Sequence, residues 1–146
     1  MGVREQAKAR LAVFLLCHEK FSLSVIPSGK EYFFGNTTGF SVQNVSGGGA
    51  ATVEVTYSAT NSSAVATVKN STAIADGASF TFFGVSGSPA GVTTVSGTPA
   101  ALVGTYGGVV ITSNQPIVVQ ANEGAFAGGG RPASGQDNKN YEGFNE

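Results

Sequence analysis

Short segments in which apolar and polar residues alternate recur along most of the chain. The clearest spans residues 51–57, where every odd-numbered position is apolar and every even-numbered one is Thr or Glu. A period of two residues is typical of a half-buried β-strand, because successive side chains point to opposite faces of the sheet. We therefore expect Val53 and Val55 in the core. The same pattern predicts further strands at 21–25, 40–45 and 79–82, and a turn at 61–63 predicts that 64–68 is the hairpin partner of 51–57.

Two runs of mostly β-branched residues predict a tight corner between two strands. They occupy 109–112 and 117–120 and are separated by Ser113-Asn114-Gln115-Pro116. Both runs are too short for helices and are bounded by turn-forming residues, which favours strands. Pro116 has no amide hydrogen, so it fits the start or the edge of the second strand and not its middle.

The spacing of these segments predicts the fold class. Short strands that recur at roughly 8–12-residue intervals, with no helical pattern after residue 20, are typical of an antiparallel sandwich of two sheets. Residues 31–34 are a further strand candidate. Gly, Ser, Pro and Thr fill 84–101, which predicts a long loop with at most a short strand at 92–95. We expect an all-β protein with a core of Val and Phe.

The two ends of the chain differ from this central part. Residues 1–20 begin with a segment that contains Arg4, Lys8 and Arg10 and continue into a short apolar run, which resembles a signal peptide without its cleavage site. Both a degenerate signal segment and a retained N-terminal arm remain open, and the apolar run is too short to span a membrane. We expect a β-sandwich domain at 21–126. A flexible Gly/Asn-rich tail is predicted at 127–146.

Charge and composition exclude one class of partner. Charged residues make up 12% of the chain and the formal net charge is −1, whereas ordinary soluble domains contain about 25% charged residues. Lys69 is the only basic residue between Lys30 and Arg131, so the sequence lacks the basic patch that nucleic-acid binding requires. The abundance of Gly, Ser, Thr and Asn is associated with extracellular β-proteins.

Residues that could support catalysis or bind a metal are scattered. A glycosidase needs two carboxylates in one cleft, but Asp76 is predicted in a turn and Glu54 on a polar strand face. Cys17 and His18 have no nearby partners of the kind that metal binding or nucleophilic catalysis needs. We therefore predict no catalytic, cofactor or metal site. For Asn122-Glu123 we favour structural hydrogen bonding over ligand binding.

Four Asn-x-Ser/Thr sequons are candidate glycosylation sites. Two of them, at Asn61 and Asn70, fall in predicted loops and are the favoured acceptors if the host glycosylates the protein. The other two begin at Asn36 and Asn44.

Four motifs follow one another in a recognisable order. They are Phe40-Ser41-Val42-Gln43-Asn44, the strand at 51–57, residues 74–80, and 107–123 with its closing Asn122-Glu123. Over about residues 36–123 this order resembles an immunoglobulin-like β-sandwich module of secreted and cell-surface proteins of bacteria and archaea. Asp76-Gly77 stands where that family has Pro-Gly, and Asn114 where it has Asp. The resemblance implies extracellular architecture and no catalytic activity.

These observations lead to a functional hypothesis. We expect a non-enzymatic extracellular protein that binds copies of itself and forms a pilus-like filament on the cell surface. In this hypothesis the strand at 21–25 adds to the sheet of a neighbouring subunit through Phe21, Leu23 and Val25. The same strand could instead pair within its own domain. The alternative function is that of a monomeric adhesion or carbohydrate-binding module, whose partners would be glycans or other surface components.

Overall fold

The computed structural model describes residues 22–33, 35–125 and 139–142, with side chains at 29–33 and 35–124. Strands dominate this part of the chain, and two 3₁₀ helices, η1 (Val85–Gly87) and η2 (Pro99–Leu102), connect some of them. The strands are β1 (Ser22–Glu31), β2 (Asn36–Asn44), β3 (Val53–Ala59), β4 (Val65–Asn70), β5 (Ser79–Phe82), β6 (Val92–Gly97), β7 (Thr105–Ser113), β8 (Ile117–Ala125) and β9 (Lys139–Glu142).

The described strands form two antiparallel sheets. One has five strands in the order β1-β7-β3-β4-β6, and the other has four in the order β5-β2-β8-β9. The predicted all-β antiparallel sandwich is confirmed. β1 and β6 are the edges of the larger sheet, and β5 and β9 those of the smaller one. The described residues contain no helix that is long and apolar enough to cross a membrane.

The alternating segments bury the faces that the sequence predicts. Val53 and Val55 are fully buried, and Tyr57 on the same face is 4% exposed. Burial also alternates along the whole of β7, so that its odd-numbered positions face the interior. The core between the sheets consists mainly of Val, Ile and Phe, including Phe40, Val42, Val68, Phe82, Val109, Ile111, Ile117 and Val119.

The strand predicted at 31–34 is wrong. Glu31 ends β1, and Tyr32 has a left-handed backbone with a φ of 51°. Phe33 and Asn36 then exchange two backbone hydrogen bonds of 2.9 and 3.0 Å, which close a tight turn. Gly35, with a φ of 77°, adopts the positive φ that this turn needs. The short apolar run therefore predicted a strand at a place where the chain makes a turn.

Two regions contain more regular structure than the sequence suggests. The predicted loop at 84–101 contains η1, most of η2 and β6, which pairs with β4. β6 is an edge strand with mostly exposed side chains, so its sequence shows little apolar alternation. Within the predicted flexible tail, β9 pairs with β8 over residues 120–123. The predicted arm at 1–20 lies outside the described residues.

Candidate functional site

The candidate site is β1, the edge strand that contains the predicted assembly residues. Leu23 lies opposite Thr112 and Val25 opposite Val110, so β1 pairs with β7 of its own chain in this structure. Phe21 lies outside the described residues. The register of the pairing shifts between Ile26 and Gly29. β1 therefore consists of an outer half, Ser22 to Ile26, and an inner half, Gly29 to Glu31, joined by Pro27 and Ser28.

The inner half of β1 is bonded to the second sheet as well as to β7. The backbone amide of Lys30 donates a hydrogen bond to Thr38 Oγ1 over 2.9 Å, and that of Tyr32 donates to Thr37 Oγ1 over 3.1 Å. Both threonines are buried and belong to β2. Lys30 Nζ lies 2.7 Å from Glu123 Oε1 on β8. These contacts fix the end of β1 at a point where the two sheets meet.

Glu31 adds a buried anchor to this end of the strand. Its Oε2 accepts hydrogen bonds from the backbone amide and the hydroxyl of Ser86 in η1, at 3.3 and 2.7 Å. Its backbone carbonyl accepts a third from the amide of Gly104 over 2.8 Å. Burial raises the pKa of the Glu31 carboxyl, and the bonds from Ser86 oppose part of that rise.

Tyr57 on β3 lies close enough to Glu31 for their charges to interact. The pKa of the Tyr57 hydroxyl is raised well above its usual value, first by burial and then by the Glu31 charge. Tyr57 also packs against Phe40 across the core, with ring centroids 5.9 Å apart. A buried acid at the inner end of β1, Glu31, therefore lies near a buried phenol on β3, Tyr57. This proximity was not evident from the sequence, because the two residues lie on different strands.

The structure separates the four sequons into two groups. Asn44 and Asn70 are buried, and the Nδ2 of each donates two hydrogen bonds to backbone carbonyls. A glycan would be attached at that nitrogen, so in the folded protein both asparagines are structural. Asn70 ends β4 and does not lie in the predicted loop. Asn61 is exposed and Asn36 is half-buried, and glycosylation at these two positions stays a prediction.

The carboxylates considered for catalysis take structural positions. Asp76 Oδ1 accepts a 2.8 Å hydrogen bond from the amide of Gly47 and lies in a turn, as predicted. Glu54 lies opposite Lys69 in the β3–β4 pair. Within the described residues no three His, Cys, Asp or Glu side chains cluster as metal ligands would. Cys17 and His18 lie outside that part of the chain.

A second feature, absent from the sequence analysis, is a set of three aromatic residues near the inner end of β1, two of which are exposed. Tyr32 is 41% exposed and Tyr106 is 37% exposed. Phe33 packs beside Tyr106 with ring centroids 4.8 Å apart and planes tilted by 57°. Two of these aromatic residues, Tyr32 and Phe33, are adjacent in the sequence and could have indicated the set. The third, Tyr106, lies on β7, more than 70 residues later in the sequence.

Comparisons with known proteins support the fold and leave the family open. No protein-family model matches the chain, and no curated protein is similar to it in sequence. Among solved structures, it is similar to the crystal structure of Thermotoga maritima 1070, with a TM-score of 0.59 and 14% identity over 86% of this chain and 94% of that one. At this level of identity the likeness shows the shared β-sandwich fold alone.

Proposed function

We propose that this protein is a non-enzymatic structural subunit of the cell surface, which forms filaments by exchanging the outer half of β1 between neighbouring copies. One observation carries the proposal. The pairing of β1 with β7 is divided at Pro27 and Ser28 into an outer half at the edge of the sheet and an inner half anchored to both sheets.

Strand exchange follows from this division. When the outer half leaves β7, it exposes the backbone donors and acceptors of 109–113, an edge that another strand can pair with. The outer half of a second copy has the same sequence and can pair in the same register. Pro27 restricts the backbone at the junction and has no amide hydrogen to lose. The contacts of Lys30 and Glu31 keep the inner half in its own subunit.

Three further observations support a location outside the cell and a role without catalysis. Charged residues make up only 12% of the chain, and the motifs between about residues 36 and 123 resemble a module of secreted and cell-surface proteins. The carboxylates Asp76 and Glu54 occupy a turn and a cross-strand pair. These positions suit a scaffold whose surface binds other copies of the chain.

Introduced cysteine pairs test the exchange directly. Val25 lies opposite Val110, and opposed residues in antiparallel strands have Cα atoms about 4.5–5.5 Å apart, within the range of a disulfide. In a Cys17→Ser background, we expect the Val25→Cys/Val110→Cys variant to oxidise within one chain and to lose polymerisation until reductant is added. Mixing the two single variants should give disulfide-linked dimers that contain one chain of each.

A second pair is the matched control. Thr56 lies opposite Thr67 on β3 and β4, with hydroxyl oxygens 2.9 Å apart. The Thr56→Cys/Thr67→Cys variant should polymerise whether oxidised or reduced, because it joins strands that stay in one subunit. Negative-stain electron microscopy provides the readout. The proposal is wrong if the wild-type protein forms no filaments, or if the oxidised Val25/Val110 variant forms them as readily as the control.

The exposed rings favour a second candidate, a glycan-binding module. Aromatic rings stack on the apolar faces of sugar rings, and Tyr106, which is 37% exposed, packs beside Phe33 to form one pair of rings at the surface. In this case Tyr106→Ala should abolish binding on an oligosaccharide array. Val103→Ala, at an apolar position that is 57% exposed, should leave binding unchanged. Equal binding by both variants would exclude the rings as the site.

A further inference from the structure

Two buried polar atoms lack a hydrogen-bond partner in the described part of the chain, and both belong to residues around one small cavity. They are Glu31 Oε1 and the Tyr57 hydroxyl oxygen. Glu31 is 1% exposed and Tyr57 is 4% exposed, so bulk water does not solvate either side chain. Buried polar groups without partners are rare in folded proteins, because the hydrogen bonds that they lose to water are not replaced.

The cavity has the dimensions of a site for one small molecule. The remaining residues around it come mostly from β1, β3 and β7 and include Gly29, Leu102, Thr105 and Gly107. The space open to the centre of a water molecule is about 10 Å³. A buried water needs about 10–15 Å³ of such space and two to four polar partners. The cavity therefore has room for a single water molecule.

We propose that Glu31 and Tyr57 bind one internal water molecule, which bridges the carboxyl oxygen Oε1 and the phenol. A single water both donates and accepts hydrogen bonds, so it satisfies both atoms at once. The second carboxyl oxygen of Glu31 is already occupied by the two bonds from Ser86. The water completes a network that runs from Tyr57 on β3 through Glu31 to η1.

The available oxygens favour water over a cation. Calcium takes six to eight oxygen ligands and magnesium takes six. Among the described residues, Glu31 Oε1 and the Tyr57 hydroxyl are the only buried side-chain oxygens without partners. Two partners are enough for a water but leave a cation far short of its coordination number. The network also ties the inner end of β1 to the middle of its own sheet, so the water acts as part of the anchor of that strand.

Water relaxation measurements test the site. Magnetic relaxation dispersion of ¹⁷O and ²H counts water molecules that stay bound to a protein much longer than surface water. We expect Tyr57→Phe to lose one such molecule relative to wild type, because the variant keeps the ring but removes the hydroxyl. Tyr106→Phe is the matched control at an exposed tyrosine and should keep the wild-type count. An unchanged count in Tyr57→Phe would overturn the proposal.

A high-resolution crystal structure gives a second, independent test, which holds even if Tyr57→Phe fails to fold. In the wild-type protein we expect a water within hydrogen-bond distance of both Glu31 Oε1 and the Tyr57 hydroxyl. Glu31→Gln should retain it, since the amide can still bond both Ser86 and the water. A direct hydrogen bond between Glu31 and Tyr57, or saturable stabilisation by sodium or potassium ions, would overturn the water assignment.

Discussion

Lys30 on β1 and Glu123 on β8 form an ion pair of 2.7 Å that connects the two sheets of the sandwich. The Glu123 side chain is 8% exposed and that of Lys30 is 24% exposed. A carboxylate that is this deeply buried depends on its partner, because water no longer stabilises its charge. The pair therefore ties the inner half of β1 to the second sheet.

Removing the lysine should therefore destabilise the fold. Lys30→Met keeps most of the apolar stem but leaves Glu123 without its cation, and we expect a loss of about 2 kcal/mol in the free energy of unfolding. The double variant Lys30→Met/Glu123→Met should recover much of that loss, since no charge then stays buried without a partner. Urea unfolding of the single and double variants measures both effects.

Lys69 provides the control for this prediction. It lies opposite Glu54 on the β3–β4 pair, and both residues are half-buried. A cross-strand pair that water still reaches contributes about 0.5 kcal/mol or less. Lys69→Met should therefore change the stability much less than Lys30→Met. Equal losses in the two variants would mean that Glu123 does not depend on Lys30.

Substitution of the buried Asn70 should destabilise the fold, although its sequon predicts an exposed loop position. Its Oδ1 accepts a 2.7 Å bond from the amide of Val53, and its Nδ2 donates to the carbonyls of Ala51 and Thr72 at 3.1 and 2.8 Å. Asn70→Asp replaces the donor with a carboxylate oxygen that faces two carbonyls, and should cost about 3 kcal/mol.

Asn61→Asp is the matched control for this substitution. Asn61 also lies in a sequon, but it is exposed, so water can solvate the new charge and the expected loss is below about 1 kcal/mol. Thermal unfolding followed by circular dichroism separates the two variants. Similar melting temperatures would contradict the structural role of Asn70.

Sequence alternation predicted the centre of the sandwich and the edge strands β1 and β5, but it gave little sign of the other two edge strands, β6 and β9. Val53 and Val55 alternate with polar residues because one face of β3 is buried and the other is not. β6 has no such contrast, because most of its side chains are exposed, and it appeared in the sequence mainly as loop. The edge strand β9 lies in a Gly/Asn-rich segment, a composition that predicted a flexible tail.

The candidate site could be predicted only in part. A structural role for Glu123 was expected from its place near the end of a strand, and its pairing with Lys30 confirms that role. The identity of the partner depends on a contact between residues 93 positions apart, which no local pattern encodes. The buried pair of Glu31 and Tyr57 was hidden for the same reason, and the wrong strand at 31–34 placed Glu31 at the start of an element and not at its end.

Two adjacent glycines of β7 should respond differently to alanine. At Gly107 a methyl group would overlap the carbonyl oxygen of Ser58 on the neighbouring β3, whereas at Gly108 it would meet no atom within 4 Å. We expect Gly107→Ala to cost about 3 kcal/mol, because backbone cannot move aside as a side chain can. Gly108→Ala should be neutral or slightly stabilising, through a less flexible unfolded chain. Equal midpoints in urea unfolding would show that β3 and β7 are not in this register.

The two faces of β3 provide a further test of the sandwich. Val55 is fully buried and Thr56 is half-buried, with its hydroxyl 2.9 Å from that of Thr67. Val55→Asp buries a carboxylate without a partner and should remove most of a stability of about 5–15 kcal/mol. Thr56→Asp should lose about 1 kcal/mol, the usual contribution of one hydrogen bond. Equal melting temperatures for the two variants would mean that Val55 does not face the core while Thr56 faces away from it.

The buried carboxyl of Glu31 should make the stability fall as the pH rises. Burial raises the pKa of this group in the folded protein above its ordinary value, so over that interval the folded state binds more protons than the unfolded state. Stability is then highest below the ordinary glutamate pKa of about 4.3 and is lost progressively until the pH exceeds the raised pKa of the folded state. Tyr57, the other titratable residue at the cavity, has a raised pKa and stays neutral throughout this range.

Glu31→Gln removes the titration while keeping a group that can bond Ser86, so its unfolding free energy should decrease less between about pH 4 and about pH 7 than that of the wild type. Parallel curves for Glu31→Gln and the wild type in urea unfolding would show that Glu31 does not titrate differently in the folded and unfolded states.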